Sequence, residues 1–131
     1  MNPILRWGTF NLVGAAGMVV QLAVLALLNH IAPKHYLCAT AVAIETTLLH
    51  NFMWHTRITW RDRRNDSALL RQIVRFHLSN GLVSMVGNLS LMRVFVHRAH
   101  LPLLVANALA ILCCSVVNFY TGHAWAFAPR Q

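Results

Sequence analysis

Four long stretches of this chain are almost free of charge, and that fact constrains its fold more than any other. No Lys, Arg, Asp or Glu falls between Arg6 and Lys34, or between Arg75 and Arg93. The stretch from Lys34 to Arg57 holds only Glu45, and that from Arg98 to Arg130 holds none. A helix needs roughly 20 apolar residues to cross a hydrocarbon core of about 30 Å. The expected architecture is therefore an all-α integral membrane bundle of four transmembrane helices, with spans near 9–29, 36–56, 74–95 and 102–125. Pro33 separates the first two spans. Pro102 opens the fourth, where a missing amide hydrogen costs little. Asp66 or Ser67 is expected to cap the third, and Pro129 lies just past the end of the fourth. The first run is too long and too evenly apolar for a cleaved signal, and three more spans follow it.

Composition excludes the soluble alternatives. Hydrophobic residues make up 57% of the 131 and charged ones 11%, whereas a soluble domain carries about 25% charge. The net charge of +8 could suggest nucleic acid, but that needs a basic face on a soluble fold. Here the basic residues sit between apolar runs, so no nucleic-acid partner is expected. Arg6, Arg57, Arg61, Arg63, Arg64, Arg71, Arg75 and Arg130 would share one side, with Lys34, Arg93 and Arg98 on the other. That imbalance predicts both termini and the basic loop, about 57–73, in the cytoplasm. Trp7, Trp54, Trp60 and Trp125 lie near the same side, as interfacial indoles do. Cys38, Cys113 and Cys114 fall inside spans and imply no disulfide framework.

An internal repeat is the next signal. Asn51-Phe52 ends the second span and Asn118-Phe119 the fourth, 67 residues later. At that offset residues 37–52 match 104–119 at Leu37, Ala39, Ala41, Ala43, Ile44, Asn51 and Phe52. Near an offset of 66, Phe10-Asn11-Leu12 lines up with Phe76-His77-Leu78. The chain reads as one domain of two helical hairpins, about 6–60 and 72–127. They have equal rather than inverted topology, related by a pseudo-two-fold axis along the membrane normal. Duplication for packing alone is the alternative.

Polar residues within the spans fall in stripes. His77, Asn80, Ser84 and Asn88 recur at steps of three and four in the third helix, and Asn11, Gly14, Met18 and Gln21 match them in the first. Asn107, Cys114, Asn118 and Gly122 share a face of the fourth, as do Asn51 and His55 in the second. Lipid cannot satisfy amides and hydroxyls, so these stripes should face inward. They could equally glue helices together, with Gly14, Gly17, Gly81 and Gly87 letting backbones approach. Glu45 is the one acid in a span; it is either functional or paired with a His or an amide of a neighbouring helix. His30, His35, His97 and His100 collect in the outer connections and read as interfacial rather than metal-binding. No phosphate loop, HExxH or nucleophile arrangement is present, so neither catalysis nor a cofactor is expected.

The segments Asn51-Phe52-Met53-Trp54-His55-Thr56-Arg57-Ile58-Thr59-Trp60 and Asn118-Phe119-Tyr120-Thr121-Gly122-His123-Ala124-Trp125-Ala126-Phe127 resemble the repeated N-F-x-x-N-R-x-W-T-F signature of the GtrA-like family. Phe10-Asn11-Leu12-Val13-Gly14 resembles its R-F-x-x-V-G opening. Departures from the pattern fall at His55, Thr56, Ile58, Gly122 and His123. The resemblance covers nearly the whole chain. It implies a multi-pass protein of the inner (cytoplasmic) membrane, acting in polysaccharide or cell-envelope glycan biosynthesis. The implied task is translocation of a polyprenyl-phosphate-linked monosaccharide, or for some members service as an accessory subunit or anchor of a membrane glycosyltransferase.

The residues fit that chemistry. A cationic landing site is available in Arg57 and Arg75, at helix ends beside the repeated motif. Asn51, His55, Asn118 and His123 could hydrogen-bond phosphate or sugar there, and Asn80, Ser84, Asn88 and Glu45 would form a polar path. Positive-inside topology alone also produces a basic loop. Three function classes stand: a lipid-linked sugar flippase, a non-transporting glycosyltransferase partner, and a small proton-coupled multidrug exporter. The exporter fits least, because its Glu belongs in the first helix and it lacks the repeated Asn-Phe ending. Partners expected are the lipid-linked sugar, membrane lipids and a membrane glycosyltransferase; association into a homo-oligomer is left open.

Overall fold

The computed structural model describes residues 1–64 and 66–128, and within them regular structure is entirely helical. Pro129 and Arg130 lie outside the described residues. Helix α1 (Pro3–Ile31) starts with Pro3 in its first turn and with the Asn2 side chain accepting the Ile4 amide at 2.9 Å, a proper N-cap. Helix α2 (Tyr36–Trp54) follows a 3-10 turn at Pro33–His35. The third rod is α3 (Leu69–Phe76) and α4 (Leu82–His97), joined through a π-helical turn at His77–Gly81. Helix α5 (Leu103–Thr121) has Pro102 at its cap. Two more π turns, His55–Thr59 and Gly122–Ala126, prolong α2 and α5. They begin 67 residues apart. The cap of α3 is Ala68, later than the expected Asp66 or Ser67, because a 3-10 turn at Asp66–Ala68 precedes it.

The rods form a ring in which α1 neighbours α2, α2 neighbours α4, α4 neighbours α5, and α5 closes on α1. Both α1 and the stretch Leu103–Ala126 are long and apolar enough to cross a membrane. Leu12, Val19, Leu27, Val86, Leu112 and Val116 all point outward, a surface suited to lipid rather than water.

The interior holds two apolar clusters. One, at the end where the two hairpins turn, joins Leu25, Ala39, Ala43, Met92 and Ala106. The hydroxyl of Tyr36 and Nε2 of His97 lie 2.6 Å apart beside it. The other lies at the opposite, loop end and is largely aromatic, with Phe10, Phe52, Trp60, Phe76 and Phe127. Trp60 stacks on Phe127 with centroids 4.3 Å apart and planes at 5°, and the His55 ring stacks on Phe10 at 4.9 Å. Trp60 is fully buried, so it is a core ring and not the expected interfacial indole. Trp7, Trp54 and Trp125 are exposed.

A polar clasp draws the N-terminus, the connecting loop and the end of the second hairpin together. Arg6, only 4% exposed, donates from Nη2 to the Asp62 carboxylate at 2.7 Å. Nη1 of Arg63 donates to the Phe127 carbonyl at 2.9 Å and to that of His123 at 3.3 Å. Burial raises the Asp62 carboxyl, but the hydrogen bond and charge of Arg6 outweigh it and hold the group below the usual carboxylate range.

Candidate functional site

Between the aromatic cluster and the hairpin-end cluster lies a cavity of about 350 Å³. It is built from the polar stripes. Helix α1 contributes Asn11, Gly14, Met18 and Gln21, and α2 with its π turn contributes Thr47, Asn51 and His55. The third rod supplies Asn80, Ser84 and Asn88, and α5 supplies Cys114, Ser115 and Asn118. The periodicity that put these residues on common faces thus aims them at one space. Phe10, Ile44, Leu48, Phe76, Ile111 and Leu112 add apolar wall. No Asp, Glu, Lys or Arg is among the described lining residues.

Part of this polar wall is braced. Asn118 Nδ2 donates to Ser84 Oγ at 2.9 Å, and Gln21 Nε2 donates to Asn107 Oδ1 at 3.0 Å. The amide oxygen of Asn51 lies 3.1 Å from Nδ1 of His50. Other groups are left over. The side-chain oxygens of Asn88 and Asn118 are buried with no hydrogen-bond partner among the described residues. A buried acceptor without a donor costs about 1–3 kcal/mol. Neither oxygen is exposed on the cavity surface, so each amide has to turn before it can accept from a bound hydroxyl or amide.

The lining residues that are themselves exposed, Asn11, Ala15 and Leu112, all lie on α1 and α5. The cavity thus opens sideways, through a window between those two helices. Toward the loop end the window is bounded by Phe119, whose ring meets Phe10 at 4.8 Å and Trp7 at 4.6 Å. Toward the hairpin end it is bounded by the Gln21–Asn107 hydrogen bond. The loop end of the cavity itself is stoppered by the aromatic cluster around His55 and Trp60.

The other residues singled out in the sequence lie elsewhere. Arg57 is exposed on its π turn, and Arg75 lies half-buried with its guanidinium 6.0 Å from the Trp125 ring centre. His123 is exposed and stacks on Phe119 at 6.0 Å. None of the three lines the cavity, so of the six headgroup candidates only Asn51, His55 and Asn118 come together there. Glu45 is turned to the outside of the bundle and accepts from His77 Nε2 at 3.0 Å, with its side chain 51% exposed. It is apart from the polar path and has the His partner that the sequence offered as its alternative. His77 leaves the stripe of Asn80, Ser84 and Asn88 because it sits in a π turn. A π turn holds more residues than an α turn and rotates the face that follows.

The glycines divide as well. A Cβ on Gly17 would collide with the Asn51 amide, one on Gly87 would lie 2.6 Å from the Cys114 sulfur, and one on Gly81 would lie 3.3 Å from Leu48. Those three are close-approach positions. Gly14 is not, since a Cβ there would meet nothing within 4 Å, and it faces the cavity instead. Gly122 abuts Trp60 and Asn80 rather than joining the lining. Asn107 is fully buried beside the cavity and braces Gln21. Sequence reasoning did not find the Gln21–Asn107 and Arg6–Asp62 pairs. The only available signal was that all four are polar residues set in or beside apolar runs.

No curated protein matches the sequence. A family model does match, described as the GtrA/DPMS transmembrane domain, and it covers residues 9–130. Together with the apolar helices this makes the chain a membrane protein, and the domain connects it with biosynthesis that uses polyprenyl-phosphate sugars. The chain belongs to the GtrA/DPMS transmembrane-domain family.

Proposed function

We propose that the protein carries the sugar headgroup of a polyprenyl-phosphate-linked monosaccharide across the inner membrane. It does so as a four-span bundle whose termini and 57–73 loop face the cytoplasm. The observation that carries this reading is the cavity: walled by all four rods, with amides and hydroxyls from each rod set in a mainly apolar wall, and without a fixed charge in its described lining. A sugar leaving water gives up a hydrogen bond at every hydroxyl, and that loss is severe in hydrocarbon unless partners replace water. Asn51, Asn80, Ser84, Asn88 and Asn118 are such partners, and two of them hold unclaimed oxygens.

Arg57 and Arg75 act outside the cavity, drawing the anionic headgroup to the loop end. Support for the two-hairpin repeat comes from the π turns at His55–Thr59 and Gly122–Ala126, which begin 67 residues apart. The α1 rod and the rod from Leu69 to His97 also begin and end 66 residues apart.

The test is a leaflet-protection assay in proteoliposomes loaded with a polyprenyl-phosphate hexose. Wild-type protein should speed protection of the sugar from an outside probe. Gly14→Phe should stop it without loss of fold, because the new ring would enter open cavity space. Arg57→Ala with Asn118→Ala should stop it too. Wild-type protein that moves no such lipid, while its removal mislocalises a membrane glycosyltransferase, would decide for the anchoring role.

A further inference from the structure

The cavity opens where its exposed lining residues lie, between α1 and α5, and it is stoppered by aromatic rings at the loop end. A headgroup tethered to a long apolar chain cannot come in through that stopper. It also cannot take the chain with it, because a cavity of about 350 Å³ has room for a sugar but not for a long isoprenoid chain as well. A window facing lipid resolves both problems. Its sill is small or apolar at Ala15 on α1 and Leu112 on α5, with the amide of Asn11 nearer the loop end. The unclaimed oxygens of Asn88 and Asn118 lie in the wall behind them.

We propose that the α1–α5 window is the chain-binding subsite, in which an isoprenoid chain lies against Ala15 and Leu112 while its headgroup sits sideways in the cavity. This rests on the carrier reading above and adds to it the route and the helix pair. At the loop-end foot of the window, Phe119 carries the His123 imidazole on its ring, and the His123 carbonyl accepts from Arg63. The phosphate, which joins chain to sugar, is thereby left beside an imidazole and a guanidinium rather than inside the uncharged cavity.

The experiment uses the full chain in proteoliposomes with a polyprenyl-phosphate hexose that bears a diazirine in its isoprenoid chain. After irradiation, adducts are mapped by mass spectrometry. Adducts should concentrate on residues 11–18 and 111–118, severalfold above the outward positions Val42 and Val86, and excess unlabelled lipid should remove them. Phosphatidylglycerol carrying a diazirine in its acyl chain should label all four rods alike. Ala15→Phe, which narrows the window, should reduce the adducts while leaving the melting temperature unchanged.

Adducts spread evenly over the bundle, or concentrated on α2 and α4, would overturn the window. So would phosphatidylglycerol labelling the window as strongly as the sugar lipid, which would reduce it to ordinary annular contact. Leaflet protection measured in the same vesicles separates this from the function itself. Window adducts without translocation would sink the carrier reading and keep the subsite. Translocation with adducts elsewhere would do the reverse.

Discussion

The hydrogen bond between Gln21 and Asn107 makes an asymmetric and checkable claim about stability. Both side chains are buried, 4% and 0% exposed, and Gln21 Nε2 donates to Asn107 Oδ1 at 3.0 Å. The Asn107 Nδ2 group already lacks a partner. Gln21→Met therefore strands both ends of a buried amide, at about 2 kcal/mol on the scale of a buried unsatisfied group. Asn107→Leu removes the bond, worth about 0.6 kcal/mol on average between membrane helices. It also removes the orphaned Nδ2, and it leaves Gln21 on the cavity wall with room to turn. Its net cost should be about 0–1 kcal/mol. The double variant, with no amide left, should come within about 0.5 kcal/mol of wild type. For a chain of this length 1 kcal/mol corresponds to about 4 °C in melting temperature. Thermal melting followed by tryptophan fluorescence in nanodiscs should thus show Gln21→Met lowest and a recovery on adding Asn107→Leu. If Asn107→Leu is the costlier change, or if the two costs simply add, the reasoning from unpaired amides fails.

Other outcomes follow from the same geometry. Asp62 is held below its ordinary pKa by Arg6, so its contribution is present above about pH 4, the unfolded carboxyl value, and is lost as pH falls through the lowered folded value. Melting measured across acid pH should show this, and Asp62→Asn should flatten that part of the curve. Gly17→Ala should cost about 1–3 kcal/mol, the range for overpacking, because its Cβ meets the Asn51 amide; Gly14→Ala, facing open space, should be neutral in the same melting assay. Glu45→Gln should preserve sugar-lipid translocation, since Glu45 does not line the cavity, and should lower stability no further when His77→Ala is added. Abolished translocation with unchanged protein yield would return Glu45 to the path.

The helical plan was legible because charge-free runs and helical periodicity are both one-dimensional signals. The stripe from Asn11 to Gln21 reaches the cavity because α-helical phase holds along α1, and Ser84 and Asn88 reach it on the phase of α4; Asn80 joins them from within the π turn. Phase fails where the helix changes type. Nothing in His55–Thr59, His77–Gly81 or Gly122–Ala126 announces a wider turn, since a π turn is set by local accommodation of neighbours rather than by residue preference. Hence His77 swings out to Glu45, and Trp60 folds back into the core instead of resting at an interface. Adjacency in sequence says that Arg57 follows Asn51, but not that Asn51 lines the cavity while Arg57 is exposed outside it. The window was invisible for a different reason. It is a gap between helices, and a gap is fixed by how two rods contact at their ends, here through Phe119 and through Gln21 with Asn107.

A cavity wall without fixed charge also says something about thermodynamic direction. With no Asp, Glu, Lys or Arg in the described lining, the wall has no carboxylate to exchange a proton and no built-in charge for voltage to displace. For the proposed cargo, the charge that crosses is the phosphodiester's own. An inside-negative membrane favours outward movement of that anion by about 2.3 kcal/mol for each 100 mV. The electric field would then act on the passenger rather than on the carrier. Flux would follow the membrane potential and the consumption of the lipid in the outer leaflet, and collapsing the potential would slow export without altering the protein.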